Sequence, residues 1–415
     1  MNLLLKLALA LACASITPLA GAQAAPARFD FDSVPGRLPK EVQPTHVALT
    51  LTLDPALPRF GGEATITLRV RKPVPALLLH AHELDAESAV LLGAGGERRL
   101  TVVPDAQAQT WRLVPVDGQG IAAGDARLQL AWRGTVNDND AGLFVAPFTS
   151  SGRPARWLAT QLEAIFARRL LPSFDEPAFR SVFEVAVRAP KGQPVASNMP
   201  EVGQVDEGAR VLHRFAPTPP MPSYLLAVMV GPHDVLAGTA AGVPLRILTA
   251  PGKSAWAAYA LESTQKILPY YNDYFGVPYA LPKLDQLAVP SSRNGAMEDW
   301  GLISYAESAL LFDPATSNPQ TRRGIFSIIA HEVAHQWFGD LVTAASWEEI
   351  WLNEAFATWM AEKASERFNP DWQLKLRRRA TIDKAMGRDA GPATRAIRSG
   401  AVLEDRVFDV FDDIT

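Results

Sequence analysis

The chain has 415 residues, with 40 Lys and Arg against 44 Asp and Glu, a formal net charge of -4 at pH 7, 48% hydrophobic residues and 20% charged ones. A balance this near neutral excludes the basic footprint that nucleic acid binding needs, and the apolar content excludes a disordered chain. The length suffices for two or three domains with cores of their own.

Residues 1–24 read as a secretory signal peptide. Lys6 stands in a Leu- and Ala-rich run over 3–14, followed by Pro18 and the small residues Ala20, Gly21 and Ala22, with cleavage expected after Ala22 or Ala24. The expected destination is the periplasm or the outside of the cell. Cys13 is the only cysteine, so the mature chain carries no disulfide. No later stretch is apolar enough for long enough to span a bilayer, and the pattern specifies no oligomeric state.

The next part of the chain reads as strand and turn. Residues 46–53 and 63–71 alternate apolar with polar side chains, and 182–188 and 224–230 extend the series. Asp54-Pro55, Gly61-Gly62 and Lys72-Pro73 supply turns between them. This predicts an antiparallel β domain over residues 30–238. Beyond Pro244 the texture changes. Residues 254–274 read as an amphipathic helix, 283–290 as a strand, and 295–305 as strand or loop. A helix is expected to start at Ser317 or Asn318, ahead of Pro319, and to stop near Gly339; another covers 347–368. The fold class is α+β multidomain, with a mixed α/β domain over 239–415 and a boundary near 234–245.

Residues 331–354, HEVAHQWFGDLVTAASWEEIWLNE, carry the chemistry. His331 and His335 lie one helical turn apart on one face, a spacing at which two imidazoles can bind one zinc ion. Glu332 is rotated by roughly 100° from His331, which suits it to a water beside the metal. Glu354, nineteen residues beyond His335, can supply a third ligand from the following helix. Three protein ligands leave a fourth position open, as a catalytic zinc requires.

Three ordered blocks resemble the alanyl-aminopeptidase family of zinc metallopeptidases, the gluzincin aminopeptidases. Residues 331–354 are similar to its H-E-x-x-H and W-L-N-E elements. Residues 294–300, NGAMEDW, are similar to its G-A-M-E-N motif. Residues 160–163, TQLE, with Ala167-Arg168-Arg169 and 174–177, FDEP, are similar to a further signature. The resemblance implies an N-terminal β domain, a thermolysin-like catalytic domain and a C-terminal helical domain. It implies one Zn²⁺ per chain on His331, His335 and Glu354, with Glu332 as general base. It implies that Glu163 and Glu298 hold the α-ammonium group of a peptide with a free N-terminus, and that Gly295, Ala296 and Met297 line the substrate. A fixed ammonium group needs acceptor-only carboxylates, which fits that assignment.

Departures from the pattern are Asp299 in place of the last Asn of G-A-M-E-N, Ser173 in place of a common Cys, and Asp340 in place of a common Asn. The family's F-D-x-I-x-Y segment is matched by residues 411–415 only up to the residue before its tyrosine, a donor to the developing oxyanion, and the last tyrosine of the sequence is Tyr305. The expectation is therefore a C-terminally truncated chain that lacks the helical domain, with impaired turnover. The alternative is a catalytically weak zinc- and peptide-binding fragment.

Overall fold

The computed structural model describes residues 29–392, 394–398 and 406–408; the expected signal peptide and the F-D-x-I segment fall outside them. The described residues from Val34 onward belong to one compact unit. Its N-terminal part is a ten-stranded sheet centred on Val42–Thr52, Arg59–Val70 and Gly124–Thr135. The alternation in sequence becomes a buried face bearing Leu49, Leu51, Ile66, Leu68, Leu128 and Trp132. The sheet is mostly antiparallel, as expected, with one exception. Val42–Thr52 runs parallel to Val182–Pro190, from the His46 and Val182 pair to the Thr52 and Arg188 pair.

A four-stranded sheet follows, with Arg153–Gln161 between Gly142–Ser150 and Val228–Val230. The third sheet has five strands in the order Asp234–Ala240, Val243–Thr249, Leu284–Val289, Leu302–Ala306 and Ala296–Met297. Its pairing is mixed, and the short strand Ala296–Met297 forms one edge, antiparallel to Leu302–Ala306. Phe144, Trp157 and Met229 of the four-stranded sheet share a core cluster with Leu248, Leu287 and Leu302 of the five-stranded one. Burial of these large apolar side chains fixes the two sheets against each other, so residues at the ends of both can form a single site.

Four long helices accompany these sheets: α1, Ala258–Phe275; α2, Pro319–His335; α3, Trp351–Phe368; and α4, Leu374–Asp389. Helix α2 begins where expected. The Asn318 side chain accepts from the Gln320 and Thr321 backbone N–H groups at 2.8 and 3.1 Å, and Pro319 occupies the first turn. It ends at His335, four residues before Gly339. The chain turns sharply there, with Gly339 N–H donating to Val342 O, and Gly339 adopts φ +136 within that turn. Tyr271 of α1 donates to Ala330 O of α2 at 2.8 Å, which anchors the metal-motif helix on its inner side. No described helix is long and apolar enough to cross a membrane.

Candidate active site

The last two turns of α2 carry His331, Glu332 and His335, and the first turn of α3 carries Glu354. The Nε2 atoms of the two histidines converge to 2.9 Å. Glu354 Oε2 lies 3.4 Å from His331 Nε2, and Oε1 lies 3.8 Å from His335 Nε2. One potential ligand atom from each of the three residues falls within 4.8 Å of the others. The far nitrogen of each ring is occupied elsewhere. His335 Nδ1 is 2.9 Å from the Phe338 carbonyl, to which it donates, and His331 Nδ1 is 3.3 Å from Thr358 Oγ1. A donated Nδ1 proton leaves the Nε2 lone pair for a metal.

A second group of carboxylates adjoins the first. Oxygens of Glu163, Glu298 and Glu354 lie within 4.8 Å of one another, as do ligand atoms of Glu298, Glu332 and His335. Glu163 follows the strand Arg153–Gln161 and comes from the β-rich half; Glu298 follows the edge strand. Oε1 of each is buried without a hydrogen-bond partner. Burial, then repulsion by Glu298, Glu354 and Glu332, pushes the Glu163 carboxyl well above the usual carboxylate range. Burial, then Glu298, Glu354 and Asp299, raise Glu332; burial also raises Asp299, with the Ser304 hydrogen bond opposing the shift and Glu298 adding to it. Glu298 is also raised by burial, although His335 opposes the shift. Glu354 moves the other way, because His335 and His331 outweigh its burial. So many carboxylates in one buried place are stable in their charged forms only with cations among them. Two imidazoles and a carboxylate, aimed at one point, fit a zinc ion.

Glu298 is held by groups with no motif of their own. Gln336 donates from Nε2 to Glu298 O at 3.0 Å, while its Oε1 accepts from Gly301 N–H at 3.2 Å. Asn198 donates to Trp300 O at 3.0 Å, and Lys283 donates to Gly301 O at 2.7 Å. Lys283 is itself paired at 2.7 Å with the buried Asp285, which Arg246 also bridges. Gly301 has φ +82, and a Cβ there would lie 2.6 Å from Asn198 O, so both conformation and space demand glycine. Asp140 accepts from Ser292 Oγ at 2.8 Å and Arg293 N–H at 2.9 Å, fixing the loop before Gly295.

The remaining residues expected from sequence fall in the same place. Gly295 is exposed and Ala296 half-buried, on the edge strand and the loop before it. A Cβ on Gly295 would meet only Ile328 Cδ1, at 3.8 Å, so the protein itself does not require glycine there. Met297 is turned inward and lines a cavity of about 10 Å³ with Gln161, Asn294 and Tyr305. The Tyr305 hydroxyl is buried without a partner. Asp340 was visible in sequence only as a departure from a motif; it is fully buried, both its oxygens lack partners, and burial with Glu298 nearby raises its carboxyl.

The Peptidase family M1 domain matches residues 259–415, and the Peptidase M1 N-terminal domain matches residues 43–225. Aminopeptidase N of Acetobacter pasteurianus is 40% identical over 347 residues, covering 83% of this chain and 96% of that protein. Aminopeptidase M1-A of Oryza sativa subsp. japonica is 35% identical over 387 residues, covering 91% of this chain and 44% of that protein. Probable aminopeptidase 1 of Sulfurisphaera tokodaii is 40% identical over 237 residues, covering 57% and 30%. The chain thus spans nearly all of the first relative and less than half of the other two. With both domain matches in order, and a relative matched almost end to end, the chain belongs to peptidase family M1.

Proposed function

We propose that this chain is a zinc-dependent aminopeptidase that removes residues from the free amino terminus of peptides. The observation that carries the reading is the pairing of a His331, His335 and Glu354 cluster with the unpartnered oxygens of Glu163 and Glu298 beside it. His331, His335 and Glu354 would hold one Zn²⁺, a donor set that leaves a position open. When bound, the ion supplies Lewis acidity, polarising the scissile carbonyl and easing deprotonation of water.

The chain's own residues do the rest. Glu332 takes a proton from the attacking water and passes it to the leaving amine. Glu163 and Glu298 hold the substrate's ammonium group, which satisfies their buried oxygens and limits cleavage to the first peptide bond. The free edge of Ala296–Met297 offers backbone groups to an extended peptide, with Gly295 and Ala296 small enough to allow its approach. The names of the relatives, all aminopeptidases, support the same reading. The test is hydrolysis of short peptides with free and with acetylated amino termini. Sequential release from the free peptides alone is expected; equal cleavage of both, or internal cleavage, overturns the proposal.

Export to the periplasm or the medium is part of the proposal and rests on the leader at 1–24. Sequencing of the exported protein should begin at Gln23 or Ala25; an intact Met1 in the exported protein contradicts it.

A further inference from the structure

We infer that Gln336 is a positioning residue for amino-terminal specificity: it sets where the ammonium-binding carboxylate stands relative to the metal ligands. The inference rests on the aminopeptidase reading above. Gln336 follows His335 directly and caps α2, so its backbone moves with the metal-binding helix. Its side chain is 1% exposed and spans to the Glu298 segment with two bonds of opposite sense, donating to Glu298 O at 3.0 Å and accepting from Gly301 N–H at 3.2 Å.

The other backbone groups of this segment are tied to different elements. Trp300 O is held by Asn198 of the β-rich half, Gly301 O by Lys283 and the Asp285 N–H, and Asp299 O by Leu302 N–H. The direct approach of Glu298 to the metal helix, Oε1 to His335 Nδ1, is 3.7 Å, too long for a hydrogen bond. The amide of Gln336 is therefore the hydrogen-bonded link between the helix bearing His331 and His335 and the residue that takes the ammonium group.

The chemistry requires an amide of this length. A carboxylate at 336 would keep an acceptor for Gly301 N–H but lose the donor to Glu298 O, and would add a charge beside Glu298, Asp299 and Asp340. A thioether of similar shape would leave one buried carbonyl and one buried N–H without partners. Either change loosens the spacing between ammonium site and metal while leaving all three metal ligands in place.

The experiment compares binding of L-leucinamide and N-acetyl-L-leucinamide to zinc-loaded protein by calorimetry, in a Glu332→Gln background that suppresses turnover. The parent is expected to bind the free amine at least tenfold more tightly. Gln336→Met should cut that preference by about 10- to 100-fold, the scale of two buried hydrogen bonds, with zinc stoichiometry unchanged. Gln336→Glu, which keeps one bond, should fall between and serves if the Met variant does not fold. A parent with the preference, and variants that keep it, overturns the role of Gln336 alone. A parent without the preference overturns the aminopeptidase reading and this inference with it.

Discussion

Replacing Glu163 by Gln separates function from stability with opposite signs. The Glu163 carboxyl is buried, has one oxygen without a partner, and is repelled by Glu298, Glu354 and Glu332. Its proton affinity is therefore higher in the folded chain than in the unfolded one, where it titrates near about 4.3. Above that pH the folded state must take up a proton or hold an unfavourable charge, so this group destabilises the metal-free protein increasingly as pH rises through the interval up to the folded pKa. Gln at this position removes the burden. Metal-free Glu163→Gln should melt higher than the wild type at pH 8, by about 2 °C for each ~1 kcal/mol relieved, and the gain should shrink toward pH 5. Activity should go the other way. A lost charge-assisted bond to the substrate ammonium costs about 1.5–3 kcal/mol, or roughly 10- to 100-fold in kcat/KM on an aminoacyl anilide. The assays are a calorimetric melt at the two pH values and steady-state kinetics with zinc. A variant that is both less stable when metal-free and as active as the wild type would refute the reasoning.

Glu332→Gln should bind zinc normally and lose about 10²- to 10⁴-fold in kcat; turnover within threefold of the wild type would remove Glu332 as the base. The metal-free wild type should melt higher as pH falls from 8 toward 5.5, because Glu163, Glu298, Asp299, Glu332 and Asp340 all take up protons more readily in the folded state. Zinc should raise the melting temperature most at the alkaline end, and a melting temperature that instead drops steadily on acidification over that interval speaks against the charged cluster. Gly301→Ala should destabilise by at least about 1–3 kcal/mol, since its φ is +82 and the new Cβ would press on Asn198 O; an unchanged denaturation midpoint would show that the turn is not constrained.

The metal motif was legible because its geometry is local. Two histidines four apart on a capped helix need only helical periodicity to face one side, and Glu354, in the first turn of the next helix, joins them once that helix packs back against the first. Glu163 and Glu298 could be singled out only through resemblance to a family, since a lone glutamate carries no periodic signal and these two meet across 135 residues. Gln336, Asn198 and Lys283 escaped notice for a related reason: the groups of this segment that they hold are backbone ones, which every residue possesses and no sequence marks. The parallel pairing of Val42–Thr52 with Val182–Pro190 was missed because apolar and polar residues alternate alike in parallel and antiparallel strands. Gly339 misled the helix boundary, since its positive φ serves the turn after the helix rather than the helix end itself.

Metal content of the purified protein, set against that of His335→Ala, is the most direct test of the account. One zinc ion per wild-type chain, removed by a chelator and absent from the variant, is the predicted result. A wild type that takes up no divalent cation, or a variant that retains the same amount, would contradict it.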